Sequence, residues 1–154
     1  MSTTPEEEKR RAARIKFRPS DALEVRYKFL SHLEEFQCDT IFKGLVCNLS
    51  KGGALFVGPI PGAEWLPHLG QGQVLIGLNI MAPEERVKVL ASLRWTRPSG
   101  FKDPAISPGP CYELGVQFEQ MDAVMRNNLS KLLIGHQLRT RKIRRSELTE
   151  GGAY

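Results

Sequence analysis

The sequence predicts an all-β domain, an antiparallel barrel or sandwich, with one helix at its C-terminal end. Three observations predict it. Six short segments alternate apolar with polar residues, the turns between them draw on 14 glycines and 10 prolines, and only the last stretch has helical periodicity. A flat sheet of that many strands would expose two edges, and closure into a barrel removes them.

Residues 1–20 are polar and charged and read as an arm leading into the domain. Leu23, Val25, Tyr27 and Phe29 then alternate with Glu24, Arg26 and Lys28, the pattern of a strand with one buried face. The polar stretch SHLEEFQ separates it from the apolar run IFKGLVCNLS. A KGG turn leads to the short strand ALFVG, which Pro59 and Pro61 end. GAEWLPHLGQGQ reads as a loop. Val74, Ile76, Leu78 and Ile80 recur at a period of two, and after the APEE turn so do Val87, Val89, Ala91, Leu93 and Trp95. A long loop with four prolines follows, and then Tyr112, Leu114, Val116 and Phe118 share a face. Met121, Val124, Met125, Leu129 and Leu132 fit one face of a helix that begins beside Asp122, runs to about Leu138 and plugs one mouth of the barrel. The organisation expected is an arm over 1–20, a β-barrel over 21–120, and a helix with a basic tail over 121–154.

At 154 residues the chain suits one domain with a core of its own. No apolar run approaches the roughly 20 residues of a membrane-spanning helix, and MSTTPEEEKRR lacks a secretory apolar stretch, so a cytoplasmic protein is expected. The net charge of +5 is unevenly spread. Residues 1–20 carry six basic and three acidic side chains, residues 136–154 five and two, and the middle is close to neutral. The two positive ends attract phosphates.

Cys38, Cys47 and Cys111 form no CxxC pair, and His32, His68 and His136 stand singly, so no zinc-type spacing exists and no metal is expected. The thiols, Trp65 and Trp95 read as packing residues, the tryptophans in the core or at a barrel mouth. GxSxG, HExxH and GxxxxGK[ST] are all missing, which argues for a binding module rather than an enzyme.

Two motifs remain. Lys9-Arg10-Arg11-Ala12-Ala13-Arg14 holds an RxxxR on the arm, and Asn48-Leu49-Ser50-Lys51-Gly52-Gly53 holds an NxSxxG at the turn between the second and third strands, with 33 residues between Arg14 and Asn48 (15 through 47). Together, in this order and on a strand-rich chain, they resemble the PilZ domain, the bacterial receptor module for cyclic di-GMP. YELGVQF resembles that family's last strand and Leu93-Arg94-Trp95 its penultimate one, so the resemblance covers about residues 9–138.

The resemblance implies a six-stranded antiparallel β-barrel with a C-terminal α-helix and a cyclic di-GMP receptor that changes arm conformation on binding. It further implies a signal to a downstream protein, with motility, exopolysaccharide or virulence as output. It assigns Arg10 and Arg14 to a clamp, Asn48 and Ser50 to the base, and Gly53 to the turn; Lys9 and Arg11 are secondary candidates, and Arg94 or Arg97, beside Trp95, would add a basic contact from the barrel wall. Guanidinium groups suit this ligand, since they bind phosphate and guanine O6/N7 through paired donors and stack on rings. Asn48 and Ser50, two apart, would share a strand face. The alternative is a ligand-independent adaptor of the same fold. Nucleic acid, held by RTRKIRRSE, is the disfavoured third partner, and the C-terminal helix is the surface for any self-association.

Overall fold

The computed structural model describes residues 15–16, 23–31, 33–69, 71, 74–101 and 109–151, with only the backbone of 15–16 and 139–151. The strands are β1 (Ile15–Lys16), β2 (Glu24–Ser31), β3 (Phe42–Leu49), β4 (Gly53–Gly58), β5 (Val74–Met81), β6 (Arg86–Pro98) and β7 (Tyr112–Gln120). All pairings are antiparallel. They run β3–β2–β5–β6–β7–β4, and β4 returns to β3, so six strands close into a barrel. The two-residue β1 adds to β3 at Asn48 and Leu49, beyond the stretch 42–45 where β2 pairs.

The alternation read from the sequence fills the interior. Val25, Tyr27 and Phe29 of β2, Val74, Ile76, Leu78 and Ile80 of β5, and Val87, Val89, Ala91 and Leu93 of β6 are buried. Tyr27 packs edge-on to Phe29 and tilted against Phe56. Its hydroxyl donates to the Pro59 carbonyl at 2.6 Å, and burial pushes its pKa up.

Two sequence expectations fail locally. The segment expected as a loop around residue 65 contains a 3-10 turn, Ala63–Trp65, continuing into the helical turn α1, Leu66–Leu69. Trp65 and Leu69 are buried, and tertiary packing holds a turn too short to stand alone.

The C-terminal helix α2 spans Ala123–Gly151, well past Leu138. Asp122 caps it, its Oδ1 accepting from the Met125 amide at 2.8 Å. Leu129, Leu132 and Leu133 enter the core cluster, whereas Val124 is 65% exposed on the opposite side. The helix also covers the edge of β6 that β7 leaves unpaired. Asn128 Nδ2 donates to the Arg86 carbonyl at 3.0 Å, and the Lys88 amide points at Met125 Sδ at 3.2 Å. No described helix is long and apolar enough to cross a membrane.

Candidate functional site

Two single-residue bulges build the site. Val46 pairs with Phe56 and Asn48 with Leu55, so Cys47 is an extra residue in β3. Leu93 pairs with Val116 and Trp95 with Gly115, so Arg94 is an extra residue in β6. Each bulge reverses the parity of the strand. Without the first, Asn48 would point inward like Val46; without the second, Trp95 would continue the buried series that ends at Leu93.

The result is one row on the outer face: Asn48, Leu55, Gly115 and Trp95 are successive cross-strand partners over β3, β4, β7 and β6, and the backbone of β1 pairs at Asn48. Asn48 and Trp95 stand three strand spacings apart, about 14 Å. The expectation that Trp95 is a packing residue is therefore corrected: it is 42% exposed.

Trp95 is held in place. Its indole lies over Gly115, where a Cβ would come within 2.4 Å of Nε1. The Arg97 guanidinium sits 5.3 Å from the ring centroid. Arg97 Nε donates to Glu113 across the β6–β7 pair, and that bond raises the Arg97 pKa. Arg94, on the bulge, is exposed beside it.

At the other end of the row, Asn48 Oδ1 is buried with no hydrogen-bond partner; among the described residues only Thr96 Oγ1 shares that condition. An unsatisfied buried acceptor costs about 1–3 kcal/mol, a cost that a bound donor would remove.

Ser50 does not stand beside Asn48 on the strand, as the spacing suggested, because β3 ends at Leu49. Its Oγ accepts from the amides of Gly52 and Gly53 at 3.3 and 3.2 Å, and its own amide donates to the Gly53 carbonyl at 2.9 Å. The hydroxyl shapes the turn. The turn in turn is fastened to β7, where the Phe118 amide donates to the Gly52 carbonyl at 2.8 Å.

Gly53 is needed for close approach, since a Cβ there would lie 2.4 Å from the Val116 carbonyl oxygen. Gly53→Ala is expected to force β4 from β7 at a cost of about 2 kcal/mol. Thermal unfolding by circular dichroism checks it: a fall in Tm of roughly 4–8 °C is expected, and an unchanged melt would mean the strands part freely.

Lys9, Arg10, Arg11 and Arg14 lie outside the described residues. The structure does define where the chain that follows them goes. Ile15 and Lys16, directly after RxxxR, pair with Leu49 and Asn48 inside NxSxxG. The described residues hold no group of three or more His, Cys, Asp or Glu suited to a metal ion. The exposed indole of Trp95, with the exposed Arg94 beside it and Arg97 held by Glu113, suits an anionic, aromatic ligand.

The sequence matches the PilZ domain family over residues 8–135, and the chain belongs to that family. Its fold is similar to the PilZ domain with c-di-GMP of YcgR from Escherichia coli, with a TM-score of 0.58 at 14% identity, covering 84% of this chain and 92% of that one. The K. pneumonia MrkH–c-di-GMP complex gives a TM-score of 0.55 at 13% identity, covering 84% and 52%. The Bacillus subtilis inhibitor of motility (MotI/DgrA) gives 0.52 at 21%, covering 84% and 51%. The chain spans about half the length of the MrkH structures it matches. No curated protein matches the sequence.

Proposed function

We propose that this chain is a cyclic di-GMP receptor in which Arg10 and Arg14 clamp the nucleotide over the row from Asn48 to Trp95. The observation that carries the reading is the β1–β3 pairing. It joins the segment after RxxxR to the first residues of NxSxxG, so two motifs distant in sequence serve one place. Family membership and the two nucleotide-bound neighbours support the ligand.

In this reading the guanidinium groups of Arg10 and Arg14, with Lys9 and Arg11 beside them, take the phosphates and one guanine edge. Asn48 Oδ1 accepts a hydrogen bond from a guanine N–H, which satisfies the orphaned acceptor. Ser50 and Gly53 keep the turn low enough for a base to approach. Trp95 stacks on a base, with Arg97 behind its ring and Arg94 as an outer cation. Binding orders the arm against β3, at a cost in conformational entropy, and a downstream protein reads the change as motility, exopolysaccharide or virulence output. Chemistry on the nucleotide is not part of the proposal; the chain is a binding module.

Isothermal titration calorimetry with cyclic di-GMP, and GTP as control, tests the reading. Saturable heat with cyclic di-GMP alone is expected, and the titration gives the stoichiometry. No heat and no shift in melting temperature would sink the receptor reading and leave the ligand-independent adaptor. Trp95→Ala is expected to weaken binding by about 10–100-fold, the worth of one base–aromatic stack, with the melt unchanged because the indole lies outside the core. Undiminished binding would remove Trp95 from the site.

A further inference from the structure

Gly77, in the middle of β5, has no local reason to be glycine. A Cβ there would meet only Leu30 Cδ1, at 3.9 Å, whereas at Gly53 and Gly115 it would meet atoms at 2.4 Å. Glycine inside a strand forgoes side-chain packing and adds an entropy cost, and such positions mark close approach by a ligand or another chain.

The surroundings of Gly77 say what approaches. It lies on the outer face, with Lys28 of β2 and Leu90 of β6 as its cross-strand partners. Leu30 and Leu75 form the next row, and Leu30 is 41% exposed. Arg26, Asn79 and Lys88 form the row on the other side, which Lys43 of β3 continues. Leucines thus surround an open recess, and cations border it. Glu24 bridges Arg26 and Lys43 at 3.1 and 3.7 Å, and Asp39 reaches Lys28 at 3.7 Å. Ser92 Oγ, in the row of Leu30 and Leu75, donates to Glu119 at 2.5 Å. Among the described residues four cations face three carboxylates, so the border stays positive.

We infer that this face docks a protein partner, which inserts one apolar side chain over Gly77 and sets Asp or Glu residues against Lys28, Arg26 and Lys88. An apolar centre with a complementary charged rim is the anatomy of a protein interface. A phosphate polymer has nothing to place on three leucines, and a second copy would bring like charges together. The face uses β2, β5 and the first half of β6, away from the row between Asn48 and Trp95, so it does not depend on the nucleotide reading.

The test is selection of a random short-peptide display library on the full chain without nucleotide. Enriched peptides are expected to place Leu, Ile, Val, Phe or Met between acidic residues. In fluorescence anisotropy their affinity should fall about tenfold or more in Gly77→Val and in Lys28→Glu/Lys88→Glu. The melting temperature of Gly77→Val should hold or rise, because valine suits a strand. Gly77→Ala, whose methyl has clear space, serves if the valine variant fails to fold. The inference is overturned if no such consensus emerges or if the peptides bind Gly77→Val as tightly as wild type. It is equally overturned if Gly77→Val abolishes self-association seen by sedimentation, or if only duplex DNA or anionic vesicles bind.

Discussion

Arg10→Ala/Arg14→Ala is expected to lower the affinity for cyclic di-GMP by about three orders of magnitude and to leave the melting temperature of the free protein where it was. Hydrogen bonds to a charged group contribute about 1.5–3 kcal/mol each, and paired donors make guanidinium contacts the stronger of these. Two such contacts account for the loss. The melt should hold because the core of the described residues is built from apolar side chains of the barrel strands and the helix. Arg10→Lys/Arg14→Lys separates charge from geometry: it keeps the charge but loses the planar fork, so affinity should fall between wild type and the alanine variant. Calorimetry and a thermal melt on the same preparations check both. Full binding by the alanine variant would show that the clamp is elsewhere.

Asn48→Leu moves two quantities in opposite directions. Cyclic di-GMP binding is expected to fall by about 100-fold, as the proposed hydrogen bond to the base is lost and the partner group is left unpaired. Stability of the free protein rises by about 1 kcal/mol, because a similar-sized apolar side chain replaces a buried acceptor that has no partner. Asn48→Asp should keep binding, since a carboxylate accepts where the amide oxygen did. The sign is what discriminates: an asparagine retained for structure would cost stability when replaced. A lower melting temperature in Asn48→Leu would therefore show that Oδ1 serves the fold rather than a ligand.

The second argument depends on a face that sequence periodicity assigns wrongly. Counting in twos from Val87 places Trp95 inside, and counting from Val46 places Asn48 inside. The bulges at Arg94 and Cys47 reverse both. A bulge leaves no mark on local composition, since its extra residue is of an ordinary type and only the register with the neighbouring strand makes it extra. Ser50 leaves the strand face of Asn48 for a related reason. The spacing assumed a continuous strand, but the chain turns at that residue and spends the hydroxyl on its own amides. The helical turn at residues 63–69 sits between Gly62 and Gly70 and is too short to show a period, although Trp65 and Leu69 lie one turn apart and are both buried. The basic stretch after Leu138 left helix and disorder both open, and the helix continues through it.

By itself the sequence determined six strands, the C-terminal helix beginning beside Asp122 and the pair of motifs, because alternation, turn residues and motif spacing are local and survive in one dimension. Alternation left barrel and sandwich both open, and closure was what the family resemblance implied. Only the tertiary structure decided that Ile15 and Lys16 pair at Asn48, that Asn48 and Trp95 face outward in one row, and that Gly77 opens a recess among leucines and cations. Each of these is a matter of register between strands far apart in the chain, and register is settled by the packing of the closed barrel.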